Sequence, residues 1–200
     1  MKTVERHGCE DSPSSLRNRR SVRKNRLGFI SAELGLVLLV VALLTIGAVT
    51  MYSNNLRQAS INQNISDIQT IASTSKSAYG VSNLYGSVTT AVAVRSHIVP
   101  TNLRDGTAAT ATNSFGSAIT IAPANGTGTN DLLSLTWPNV PSNQCLEIVN
   151  GVSPSMRRIT VGGTVVKALD SSLVVATTTT ACEANTSDGV VSITFDIGRS

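Results

Sequence analysis

From Leu34 to Met51 the chain carries 18 consecutive uncharged and mostly apolar positions, LGLVLLVVALLTIGAVTM. The apolar character starts at Phe29 and fades near Tyr52. In helical form that stretch rises about 36 Å, enough to cross a hydrocarbon core of about 30 Å. Downstream the pattern changes. Ile61, Ile65, Ile68 and Ala72 fall at i, i+4, i+7 and i+11, which is one helical stripe. Asn54, Arg57, Gln58, Asn62, Gln63, Asp67 and Gln69 occupy other faces. No proline occurs between Phe29 and Pro100, and Gly80 and Gly86 are the first strong stop signals. The pattern predicts one helix from about Phe29 to Tyr79, apolar all round in its first half and amphipathic in its second. The amphipathic half needs something to lay its stripe on.

The rest of the chain reads as β-rich. SAITIA (Ser117–Ala122) and LLSLTW (Leu132–Trp137) have strand composition, with a Gly- and Asn-rich loop between them. RRITVGGTVVKAL (residues 157–169) holds two β-branched runs joined by Gly162-Gly163, a hairpin signal. SLVVATTT (Ser172–Thr179) and GVVSITFDI (Gly189–Ile197) are further predicted strands. PSNQCLEIVNG (Pro141–Gly151) predicts a short helix, with Ser142 as N-cap and Gly151 just past its end. No internal repeat is visible.

Charge divides the chain. Residues 1–28 hold eight Lys or Arg and three acids, a net of +5; residues 29–200 hold eight bases and nine acids, a net of −1. The overall +4 therefore belongs to the head, and the remainder lacks the basic surface that nucleic-acid binding requires. A basic head before an apolar run reads instead as a topology signal holding the N-terminus in the cytoplasm. Cys9 lies in that head. Cys145 and Cys182 lie beyond the apolar run, on the non-cytoplasmic side, and form a candidate disulfide pair; the alternative is two free buried thiols. The residues show no catalytic set: His7 is in the head and His97 stands alone, and there is no paired-carboxylate, metal-spaced, phosphate-loop or Ser/His/Asp arrangement. The expectation is a non-enzymatic chain without cofactor or metal.

One residue breaks the apolar run. Glu33 stands at its head, where a charge is costly: insertion scales put a central membrane Asp, Lys or Arg at roughly +2.5 to +3.5 kcal/mol. The best site for ordinary signal cleavage, near Ala48-Val49-Thr50, is poor. The distinctive feature lies on the other side, where Gly28 separates the basic head from Phe29 and an acid follows five residues after that glycine: G, then FISAE. This arrangement resembles the prepilin peptidase site of type IV pilins. The long half-apolar helix resembles the pilin spine, and the β-rich remainder with Cys145 and Cys182 resembles the headgroup with its disulfide-closed loop. The 28-residue leader, DIQTIASTSKSAYG (Asp67–Gly80) and VPSNQCLEIV (Val140–Val149) are similar in texture to the type IVb class, which includes toxin-coregulated, bundle-forming and PilS-like conjugative thin-pilus pilins.

The resemblance implies an α+β pilin fold, a long N-terminal helix packed on an antiparallel β-sheet headgroup. It implies a cleaved leader (1–28), a spine helix (29–80, with 29–52 embedded in membrane or filament core) and a headgroup (81–200). Cleavage falls between Gly28 and Phe29, and the new amine of Phe29 is N-methylated. Glu33 sets subunit register by meeting the Phe29 amine of a neighbour, since a wrong register leaves a buried charge unpaired. A simpler account makes Glu33 a favourable charge near a helix N-terminus. The implied partners are copies of the same chain, a prepilin peptidase and an inner-membrane assembly platform. The implied location is the inner membrane, with the headgroup periplasmic, and then an extracellular pilus. The alternatives are a minor pilin or secretion pseudopilin, and a monomeric membrane-anchored binding domain. A Cys145–Cys182 bridge would close a loop of about 38 residues, worth roughly 4 kcal/mol in the chain-entropy model.

Overall fold

The computed structural model describes residues 27–80, 85–106, 108–184 and 189–199. The chain forms two compact units, Met1–Thr50 and Met51–Ser200. Helix α1 runs Leu27–Tyr79. It stops where the sequence places Gly80, whose N–H bonds the Lys76 carbonyl at 3.0 Å. A Cβ at Gly80 would lie 2.5 Å from that same oxygen, so the chain leaves the helix at the one residue that fits.

In the second unit five strands build one antiparallel sheet in the order β1-β2-β5-β3-β4. They are β1 (Thr120–Ala124), β2 (Leu132–Pro141), β3 (Arg158–Val161), β4 (Thr164–Lys167) and β5 (Val190–Ile197). The period-2 pattern gives the sheet one apolar face. Leu133 faces Ile197 across the β2–β5 ladder, Leu135 faces Phe195 and Trp137 faces Ile193; all six are buried. The β3–β4 hairpin turns at Gly162-Gly163, both at positive φ (55° and 86°), as the Gly-Gly signal predicts.

The amphipathic half of α1 belongs to the core made by that apolar face. Ile61, Ile68 and Ala72 of the expected stripe are buried, but Ile65 is only partly so. Asn64, Asp67, Ile71 and Ser75 are buried as well. The covered face is thus rotated from the Ile stripe and admits polar residues, because each finds a partner. Trp137 Nε1–H donates to Asn64 Oδ1 at 3.1 Å, the Ser114 hydroxyl donates to the same oxygen at 2.7 Å, and Ser75 donates to the Ile71 carbonyl at 2.6 Å.

Three short helices frame the sheet. Helix α2 (Thr90–Arg95) is capped by Thr89, whose side chain accepts from the Val92 N–H. Helix α3 covers Ser142–Val152, and its N-cap is Pro141 rather than Ser142. Gly151 is not a stop but a helical residue. A Cβ there would come 2.5 Å from Ile65 Cδ1, so glycine allows α1 and α3 to approach, and α3 continues to bury Val152.

Helix α4 (Val175–Ala184) replaces the strand expected at Ser172–Thr179. The β-branched threonines tolerate the helix because Thr178, Thr179 and Thr180 each bond the carbonyl four residues back, on Val174, Val175 and Ala176. Each hydroxyl is satisfied locally. Strand β1 begins three residues later than expected; the preceding segment forms only an isolated bridge, Thr112 to Ala118.

Candidate functional site

The first region singled out by the sequence lies in α1. Ten large apolar side chains between Leu34 and Ile46 are 45–68% exposed and point to every side of the helix. Folded monomers rarely expose contiguous apolar patches beyond a few hundred Å². Moving ten such side chains out of water is worth on the order of 10 kcal/mol. Thr45 removes its own polar cost by donating to the Ala42 carbonyl at 2.9 Å. The expected run continues to Met51, but side chains 47–53 and 27–32, which include Phe29, lie outside the described residues. Among the described residues no helix is long and apolar enough to cross a membrane.

Glu33 is exposed at the head of this segment. Gly28 and Phe29 are helical residues of α1. Residues 1–26, with His7 and Cys9, lie outside the described residues.

The second region is the disulfide-closed loop. Cys145 on α3 and Cys182 on α4 are bonded, with Cα atoms 5.8 Å apart and 37 positions apart in sequence. Both are buried. The bridge ties the two helices across the chain that carries β3, β4 and Thr177–Thr180. Within that chain Val165, Val174 and Val175 are exposed.

His97 is exposed with φ 63°, sitting just past Ser96, the C-cap of α2, where a left-handed residue ends a helix.

Two residues that hold the headgroup were not singled out by sequence reasoning. Asn64 is the first: beside the two bonds it accepts, its amide donates to the Ser60 carbonyl at 2.7 Å. Asp131 is the second. Its carboxylate gathers the N–H groups of Gly126, Thr127 and Gly128. Those bonds, Gly126 foremost, hold its pKa down to about 2 against the opposing cost of burial. The signal was present in NGTGTND (residues 125–131), where successive glycines leave N–H groups in search of an acceptor.

The sequence model of the family described as PilS N terminal matches residues 58–196. The chain belongs to that family. A solved structure agrees in fold. A type IVb pilin from Salmonella typhi superposes with a TM-score of 0.53 at 21% identity, covering 69% of this chain and 99% of that one. An NMR structure of a type IVb pilin (PilS), also from Salmonella typhi, matches with a TM-score of 0.43 at 22% identity, over 68% and 94%. TcpA, a type IV pilin from Vibrio cholerae El Tor, gives 0.45 at 16%, over 70% and 98%. Among curated proteins none matches. The type IVb-like pilin expected from Gly28, Phe29 and Glu33 is therefore the family found from residues 58–196, a stretch that holds none of the three. Pilins are structural subunits, not enzymes.

Proposed function

We infer that this pilin is the major structural subunit of a type IVb-like pilus. Its leader, residues 1–28, is removed by a prepilin peptidase between Gly28 and Phe29, and the Phe29 amine is methylated. The spine, 29–80, is held in the inner membrane through residues 29–52 with the headgroup, 81–200, in the periplasm. An assembly platform then extracts the subunit into an extracellular homopolymer. The observation that carries this reading is the apolar surface from Leu34 to Ile46. A membrane covers such a surface before assembly, and the same helix of neighbouring subunits covers it afterwards. Glu33 supports the reading too, as the acid that a neighbour's Phe29 amine would pair with in a desolvated core.

The test is mass spectrometry of filaments sheared from cells producing the chain. The subunit should be abundant there, should begin at Phe29 and should carry one added methyl. A leader-bearing chain in filaments, a terminus near Met51, or a subunit confined to the membrane would overturn it.

A further inference from the structure

A cleft of about 220 Å³ opens on the headgroup between the end of α1, the turn before β3 and the end of β4. Lys76, Arg157 and Lys167 line it, with Asp170 as its one lining carboxylate. Three cations less one anion leave the lining at +2. Residues distant in sequence supply these cations, and each is held by its surroundings. The Lys76 ammonium donates to the Ser155 carbonyl at 2.7 Å, and the Lys167 ammonium to the carbonyls of Ser153 and Met156 at 2.6 and 2.7 Å. Carbonyls fix a cation without cancelling its charge. Arg157 engages Asp170 through Nε and Nη2 and reaches the Arg199 carbonyl through Nη1.

An ammonium has three N–H donors. Among the described residues Lys76 uses one of its donors and Lys167 two. Charge and donors are thus left over in a preformed concavity. Burial lowers the pKa of both lysines, and for Lys76 the nearby charges of Lys167 and Arg157 lower it further. Like charges gathered at this cost are relieved by an anion. The volume lies below the range of roughly 300–1,000 Å³ typical of drug-sized ligands, so the cleft suits one small group.

We propose that the cleft lined by Lys76, Arg157 and Lys167 is a binding site for a small oxyanion, either inorganic or the acid group of a single sugar. The lysines supply charge-assisted hydrogen bonds to its oxygens. Asp170 competes with the ligand for Arg157.

The full-length chain, ¹⁵N-labelled in neutral detergent micelles, is titrated with sodium sulfate and, separately, with sodium glucuronate. Glucose, and chloride at matched ionic strength, serve as controls. The amides of residues 153, 155–157, 167–171 and 198 should shift saturably with at least one of the two anions and with neither control. The stronger of the two identifies the source. The double variant K76Q/K167Q should weaken binding by about tenfold or more, the effect of losing one charge-assisted bond, with the β5 amides unmoved. D170N releases Arg157 and should tighten binding, a gain that misfolding cannot imitate; asparagine tolerates the φ of 57° found at this position. Shifts that fail to saturate with both anions, binding unchanged in K76Q/K167Q, or binding unchanged or weakened in D170N would each overturn the proposal.

Discussion

The two halves of α1 solve opposite problems with the same backbone. From Asn54 to Tyr79 the helix spends its apolar stripe inside its own chain, and its polar residues reach out to other elements. Arg57 pairs with Glu147 of α3 and bonds the Asn143 carbonyl. Asp67 accepts from Asn102, Gln69 bonds the Gly151 carbonyl and Lys76 the Ser155 carbonyl. From Leu34 to Ile46 the helix is apolar on every side and stays exposed. A stripe can be satisfied by one sheet. A cylinder can be satisfied only by a surrounding medium or by several neighbours at once. The folded headgroup is thus complete within one chain, and the first half of the helix is not.

The largest break in that comparison comes from the buried half. Ile68→Ala should cost about 2–5 kcal/mol of headgroup stability, while Leu39→Ala, on the exposed half, should change it by less than about 0.5 kcal/mol. Urea unfolding of the two variants, followed by Trp137 fluorescence, checks both numbers. Equal losses would mean that the halves do not differ as described.

Close behind comes the disulfide. Cys182→Ser should lower stability by roughly 4 kcal/mol through loop closure. Thiol labelling of the denatured, unreduced parent should find neither Cys145 nor Cys182 free.

Asn64 follows. Asn64→Leu keeps the volume but leaves the buried Trp137 Nε1–H without its acceptor, a cost of about 1–3 kcal/mol. A double-mutant cycle with Trp137→Phe should show strong coupling.

The smallest effect is set by pH. The folded Asp131 carboxyl titrates near 2, below its usual 3.8. A depressed pKa contributes stability that is complete above the unfolded value and disappears as pH falls. Stability from Asp131 should therefore fade between about pH 4 and pH 2. Asp131→Asn should lose that part of the acid sensitivity, read by thermal unfolding across the range.

What was legible in the sequence follows the physics of each signal. The Gly162-Gly163 hairpin and strand β5 could be read directly, because alternation and a positive-φ turn are local properties. The end of α1 could be read from Gly80. Helix α4 could not. A threonine run favours strands until hydroxyl back-bonding and the tie at Cys182 decide otherwise. Gly151 misled for a similar reason, since a glycine that admits Ile65 looks in sequence like one that ends a helix. Asn64 was hidden because its partners, Ser114 and Trp137, lie 50 and 73 positions away. The candidate assembly residues Gly28, Phe29 and Glu33 were legible because their motif is contiguous. The cationic cleft was not, since Lys76, Arg157 and Lys167 meet only in the fold.

The central claim is that the exposed half of α1 is completed by other subunits, with Glu33 setting their register. Glu33→Val tests it most directly. The substitution makes the segment more apolar, so insertion should survive, and cleavage at Gly28–Phe29 should largely survive too. Each incoming subunit would then bury its Phe29 amine without a partner, at about 3–5 kcal/mol per subunit. The measurement is the ratio of filament in the sheared fraction to processed subunit in the membrane, for parent and variant. The account predicts normal processed subunit with filament yield near zero. Normal filament yield from fully processed Glu33→Val subunits would contradict it.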